Sequence, residues 1–206
     1  MLAEYTGLPL VAILRGLTAA EVPTVGAILF DAGFRLLEVP LNRPGALEAI
    51  EALVRMAPEG AIVGGGTMLT EANVDAVAAV GGRLFVAPNC NPSVIRHARA
   101  AGMLCAPGVA TPSEAFAALE AGAHALKIFP AEMVGMASLL AMKAVLPHGT
   151  VVWPVGGVTP GSMLQWARAG ATGFGIGSAL YTPQLSPVEL KQRAHKFISA
   201  ANELLT

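Results

Sequence analysis

Charge is sparse in this chain: Asp, Glu, Lys and Arg supply only 13% of 206 residues, and the net charge is −1. Its 13 Lys and Arg are scattered, so the electrostatic footprint of a nucleic-acid or anionic-lipid binder is missing. A small polar metabolite is the expected partner. Cysteine is nearly absent, and Cys90 and Cys105 are too few for a disulfide framework and lack zinc-ligand spacing, which fits a reducing cytoplasm. The opening "MLAEYTGLPL" has an acid where a signal peptide carries basic residues, and is expected to be mature protein. Residues 144 to 167 hold no acid, Lys or Arg, yet Pro147, Pro154, Pro160 and four glycines break any spanning helix. No membrane segment is expected. Metal-binding patterns are missing too, because His97, His124, His148 and His195 fall in helices or lead-in turns without H-x-H or H-E-x-x-H spacing.

Apolar residues, by contrast, make up 54% of the chain, enough for one domain with a large core across residues 1–206. Eight short apolar runs recur with helical stretches between them: "PLVAIL", "RLLEVP", "AIVGGG", "RLFVAP", "MLCAPG", "ALKIFP", "VVWPVGG" and "GFGIGS". Several helical stretches open with a capping residue, namely Thr18, Thr70, Thr111, Thr159 and Ser186. Many close on a glycine just before the next strand, as in "DAGFRLLEVP" and "EAGAHALKIFP", a weak internal repeat with glycine after the helix end. Strands rich in Val, Ile and Leu that alternate with helices make parallel βα units, and eight of them predict an α/β fold, a single (β/α)8 TIM barrel. An open doubly wound sheet is the competing architecture.

In such a barrel, function sits at the C-terminal ends of the strands. Lys127 and Phe129 share one face of their strand by the two-residue alternation, opposite Leu126 and Ile128, so Lys127 is expected to point inward. Glu38 ends "LLEVP" on the face of Leu36, and Arg15 ends "AILRG". A structural ion network is the plain explanation of this trio. The chemical one is that burial and a nearby Arg15 lower the lysine pKa, leaving a neutral amine able to attack a ketone, with Glu38 moving the protons. The resulting Schiff base is an electron sink that needs no metal.

Two glycine-rich strand ends add the other half of a site. Gly156–Gly157 in "VGGVTP" and Gly177–Ser178 in "GIGSAL" follow the last two strands, where this fold binds phosphate. Neither is a Walker loop or a full G-x-G-x-x-G pattern. Thr67 ends "GGGT" and either donates to a carboxylate or caps a helix. Val155 shares a face with Trp153 and is expected at the barrel mouth, while Trp153, Met133 and Met136 are expected to pack.

Taken together, "LPLVAILRG", "LLEVPLNRP", "GGGTML", "VAPN", "ALKIFPAE", "VGGVTP" and "GIGSALY" resemble, in order and spacing, the class I aldolases that cleave 2-dehydro-3-deoxy-6-phosphoaldonates. The resemblance covers nearly the whole chain. It implies a homotrimer of barrels, without a cofactor or metal, that splits a phosphorylated sugar acid into pyruvate and D-glyceraldehyde 3-phosphate. It carries Schiff-base formation onto Lys127 and proton transfer onto Glu38. Arg15 and Thr67 would hold the pyruvyl carboxylate, Pro88 and Phe129 would line that pocket, and Gly156, Gly157, Gly177 and Ser178 would bind the phosphate. In that family the gluconate branch tends to carry threonine at the place of Val155 and the galactonate branch valine, so the valine and "VAPN" resemble the galactonate branch. Pro154 is a feature of the gluconate branch. Two other classes compete: a phosphate-binding barrel isomerase or synthase without imine chemistry, and a non-catalytic sugar-phosphate binder.

Overall fold

The computed structural model describes residues 9–205; the first eight residues, on which the expectation about a signal peptide rests, lie outside them, as does Thr206. Strand and helix alternate throughout. The first four units are β1 (Leu10–Ile13) and α1 (Val22–Ala32), β2 (Leu36–Pro40) and α2 (Ala46–Met56), β3 (Ile62–Gly66) and α3 (Glu71–Ala79), and β4 (Leu84–Val86) and α4 (Pro92–Ala100). The fifth strand comes in two pieces, β5 (Leu104–Ala106) and β6 (Gly108–Val109), because Pro107 between them has no amide to donate. Then follow α5 (Pro112–Glu120), β7 (Leu126–Ile128), α6 (Ala131–Val145), β8 (Val152–Pro154), α7 (Met163–Arg168), β9 (Phe174–Ile176) and α8 (Pro187–Asn202).

All strand pairs are parallel, in the orders β5-β4-β3-β2-β1-β9 and β6-β7-β8. Two seams join these sets into a ring. The amide of Ala125 donates to Cys105 at 3.2 Å, and Val155 bridges Gly175. The curled parallel sheet with helices outside is a TIM barrel, which sets aside the open doubly wound sheet.

The alternation of side chains along each strand divides the core in two. Leu10, Ala12, Leu37, Val39, Leu126 and Ile128 pack outward against the helices. Their neighbours Val11, Leu36, Leu84, Val86, Leu104, Ala106, Ala125 and Trp153 fill the barrel interior. Trp153 packs as expected, but Met133 is 70% exposed, a correction to the packing role expected of it. Its place in the first turn of α6, before the non-helical Gly135, leaves it on the outer surface.

The repeated glycines act as helix stops: Gly33, Gly81, Gly102, Gly122 and Gly170 all have positive φ, which only glycine adopts at little cost. Thr70 and Thr111 cap α3 and α5 with reciprocal side-chain bonds, and Ser186 caps α8. Thr159 opens a short 3-10 turn ahead of α7. Thr18 does not cap α1. The cap position is Glu21, whose carboxylate accepts from the Thr18 amide and hydroxyl at 3.0 and 2.6 Å, so the threonine closes the preceding turn instead.

Candidate active site

A cavity of about 340 Å³ opens at the C-terminal ends of the strands. Its wall includes Arg15, Glu38, Thr67, Lys127, Phe129, Val155, Gly156, Gly157, Gly177 and Ser178, so the barrel gathers ten of the eleven expected site residues. Pro88 is the exception. It ends the run after β4 against the backbone of Gly108 and is not part of the wall.

Lys127 and Glu38 form the cavity floor. Both are buried, Lys127 at 7% and Glu38 at 1% exposure, and each stands on the inner face of its strand. Space for the acid comes from the neighbouring strand: a Cβ added to Gly66 would overlap the Glu38 carboxylate. Desolvation is the largest influence on both groups. Burial pushes the Glu38 carboxyl up, outweighing Lys127 and Arg15, which pull it down. It also pushes the Lys127 ammonium down, against the Glu38 carboxylate and with help from Arg15. Both shifts run toward the uncharged form, the direction that a nucleophilic amine and a proton-donating acid require. The Lys127 Nζ lies 4.9 Å from the centroid of the Phe129 ring, and Glu38 Oε2 has no hydrogen-bond partner among the described residues. A buried carboxyl oxygen left unpaired in a cavity is poised for an incoming water or substrate hydroxyl.

Around this floor the wall changes character. Arg15 is exposed, lines the cavity and donates Nη1 to Asn42 Oδ1 at 3.0 Å, with further guanidinium donors to spare. Thr67 has φ of +54°, a left-handed conformation that costs a β-branched residue of order 1–3 kcal/mol. Thr70, not Thr67, caps α3, which removes the helix-cap explanation. Strain held at a cavity wall is the pattern of a binding group.

Gly156 and Gly157 turn the chain after β8 with φ of +120° and +60°, just past the Val155 bridge to Gly175, and the Gly157 amide donates to no described group. Gly177 begins a tight turn, its carbonyl accepting from Leu180 and Tyr181 at 2.8 and 3.0 Å, and a Cβ there would meet only open space. Bare backbone around a concave rim suits an oxyanion.

Two features of the wall were not anticipated. A Cβ on Gly175 would come 2.5 Å from Val155 Cγ2, and one on Gly173 2.6 Å from the Trp153 indole, so two glycines of "GFGIG" make room for the β8 side chains. Only Gly177 is left to the rim. The buried Tyr181 also lines the cavity, and burial, reinforced by the Glu21 carboxylate near its hydroxyl, pushes it up to about 12. Its signal was its position four residues past Gly177, one helical turn beyond the rim.

Residues 3–193 match the model of one protein family, KDPG and KHG aldolase. The chain belongs to that family. It is 48% identical over 199 residues to 2-dehydro-3-deoxy-6-phosphogalactonate aldolase of Escherichia coli (strain K12), covering 96% of this chain and 97% of the relative. It is also 46% identical over 192 residues to the probable 2-dehydro-3-deoxy-6-phosphogalactonate aldolase of Rhizobium meliloti (strain 1021), covering 93% and 91%. The solved structure of native KDPGal superposes with a TM-score of 0.94 at 46% identity, over 97% of each chain. This KDPG and KHG aldolase family member is thus an enzyme, an aldehyde-lyase, on the barrel expected from its sequence. Among the described residues of this aldolase no three His, Cys, Asp or Glu side chains gather as metal ligands, and no helix is long and apolar enough to cross a membrane.

Proposed function

We propose that the chain cleaves 2-dehydro-3-deoxy-6-phosphogalactonate to pyruvate and D-glyceraldehyde 3-phosphate through a Schiff base on Lys127. The observation that carries this reading is the buried, neutral-leaning Lys127 and Glu38 pair on the floor of the cavity. The neutral amine attacks the C2 ketone, and the Glu38 carboxylic acid protonates the carbinolamine oxygen, which leaves as water. The Glu38 carboxylate then takes the proton of the C4 hydroxyl while the C3–C4 bond breaks. Its electron pair flows into the iminium, giving an enamine on Lys127 and releasing the aldehyde with its phosphate. Protonation at C3 and addition of water return pyruvate and the free amine.

Arg15 and Thr67 hold the substrate carboxylate next to the imine, Phe129 lines the pyruvyl pocket, and Gly156, Gly157, Gly177 and Ser178 take the phosphate at the rim. Val155, between floor and rim, faces the middle carbons and offers no partner to a hydroxyl, which supports the galactonate over the gluconate epimer. We further assign one barrel domain to residues 1–206 and a homotrimeric assembly, supported by the exposed Phe116, Met133 and Leu140 on consecutive helices. The free Cys90 and Cys105 support a reducing compartment, the cytoplasm.

Pyruvate with borohydride tests the chemistry. A stable mass gain on the Lys127 peptide is expected, and its absence would favour an isomerase, a synthase or a simple binder. Steady-state rates on the two C4 epimers then test the substrate.

A further inference from the structure

The rim turns carry no cation of their own, but a charged side chain stands behind each of them. Glu132, in the first turn of α6, leans against the β8 turn: a Cβ on Gly156 would overlap its carboxylate, and one on Gly157 would come 2.9 Å from its Oε1. That carboxylate makes no hydrogen bond or ion pair with the described residues. Behind the β9 turn the sign reverses. Arg193 of α8 donates its Nη1 to the Ser178 carbonyl at 3.3 Å, while Glu189, one helical turn earlier, is hydrogen-bonded by Ser186 and feels the Arg193 charge only as its weakest influence.

We propose that Glu132 and Arg193 act as an opposed pair of positioning residues that set how tightly the rim holds phosphate, Glu132 loosening it and Arg193 tightening it. The proposal rests on the phosphate reading of the rim given above. Both side chains act from behind the glycines and touch no reacting atom. Glu132 lies outside the cavity wall, so its charge reaches the anion through the turn. An anion held by neutral donors alone is sensitive to one unpaired negative charge a few ångströms away. The loosening has a use: a fragment that leaves carrying the phosphate must be released on every turnover, and a hold without opposition would slow it.

Inorganic phosphate is the probe, measured as a competitive inhibitor of cleavage at low ionic strength, with pyruvate–borohydride trapping as the control. Glu132→Gln keeps the shape and removes the charge, and should lower the phosphate inhibition constant about two- to fivefold, the usual reach of an exposed charge. Arg193→Gln should raise it by a similar factor, the double variant should return close to the starting value, and all shifts should shrink in high salt. Trapping of pyruvate should stay unchanged throughout. Unchanged inhibition, weaker phosphate binding in Glu132→Gln, or salt-independent shifts overturn this proposal while leaving the phosphate rim in place. If phosphate fails to inhibit the unaltered enzyme, the rim reading falls, and this proposal with it.

Discussion

The floor and the rim of the cavity use opposite means. On the floor, two ionisable side chains are sunk into an apolar barrel, where desolvation is the largest influence on their charge and the neighbouring strand gives up its side chains to make space. At the rim, glycines leave the backbone bare, Gly156 and Gly157 with positive φ, and Ser178 adds the one small hydroxyl. Bond-making needs a nucleophile and a proton carrier whose pKa values are moved toward the working pH, and burial does that cheaply. Holding a phosphate needs several donors in a fixed curve, which backbone supplies without spending rotamer entropy.

If the floor alone does chemistry, Lys127→Ala should abolish cleavage and borohydride trapping while circular dichroism remains that of the folded barrel. Residual turnover above trace in the folded variant would break the division. Glu38→Gln retains the shape but cannot cycle a proton, so kcat should fall by roughly 10²- to 10⁴-fold. Near-normal rates would hand the proton to another group. A rim change should act differently. Gly156→Ala forces a Cβ onto φ of +120° and into the Glu132 carboxylate, and should raise KM for the phosphorylated substrate about ten- to a hundredfold. Pyruvate trapping by this variant should be nearly normal, and a matching loss there would merge the two regions. The smallest effect is expected between them. Val155→Thr adds a hydroxyl at constant volume and should shift the ratio of kcat/KM for the two C4 epimers toward the gluconate form by about tenfold, and an unchanged ratio would remove Val155 from substrate choice.

Much of this was legible in the sequence because it depends on spacing within a single segment. The two-residue alternation aimed Lys127, Glu38 and Val155 inward, and glycines before strands marked helix ends. What stayed hidden depends on register between segments. Nothing local distinguishes Gly175, which receives Val155, from Gly177, which opens on the rim; the pairing with β8 decides it. The same holds for Pro88, whose backbone lies against Gly108 and which is not part of the cavity wall, and for Met133, whose exposure follows from the break at Gly135. Thr67 read equally well as a cap or a binding group until its φ was known.

Gly66 has no functional group, takes no part in any step and holds no ligand, yet the Glu38 acid exists only in the volume it leaves empty. Any change of its codon that alters the residue installs a side chain with a Cβ or ends translation. In a saturation survey of this gene, position 66 would therefore be expected to tolerate no missense change and to score like Lys127 itself, so that a heredity-based map of the active site would mark as catalytic a residue whose whole contribution is absence.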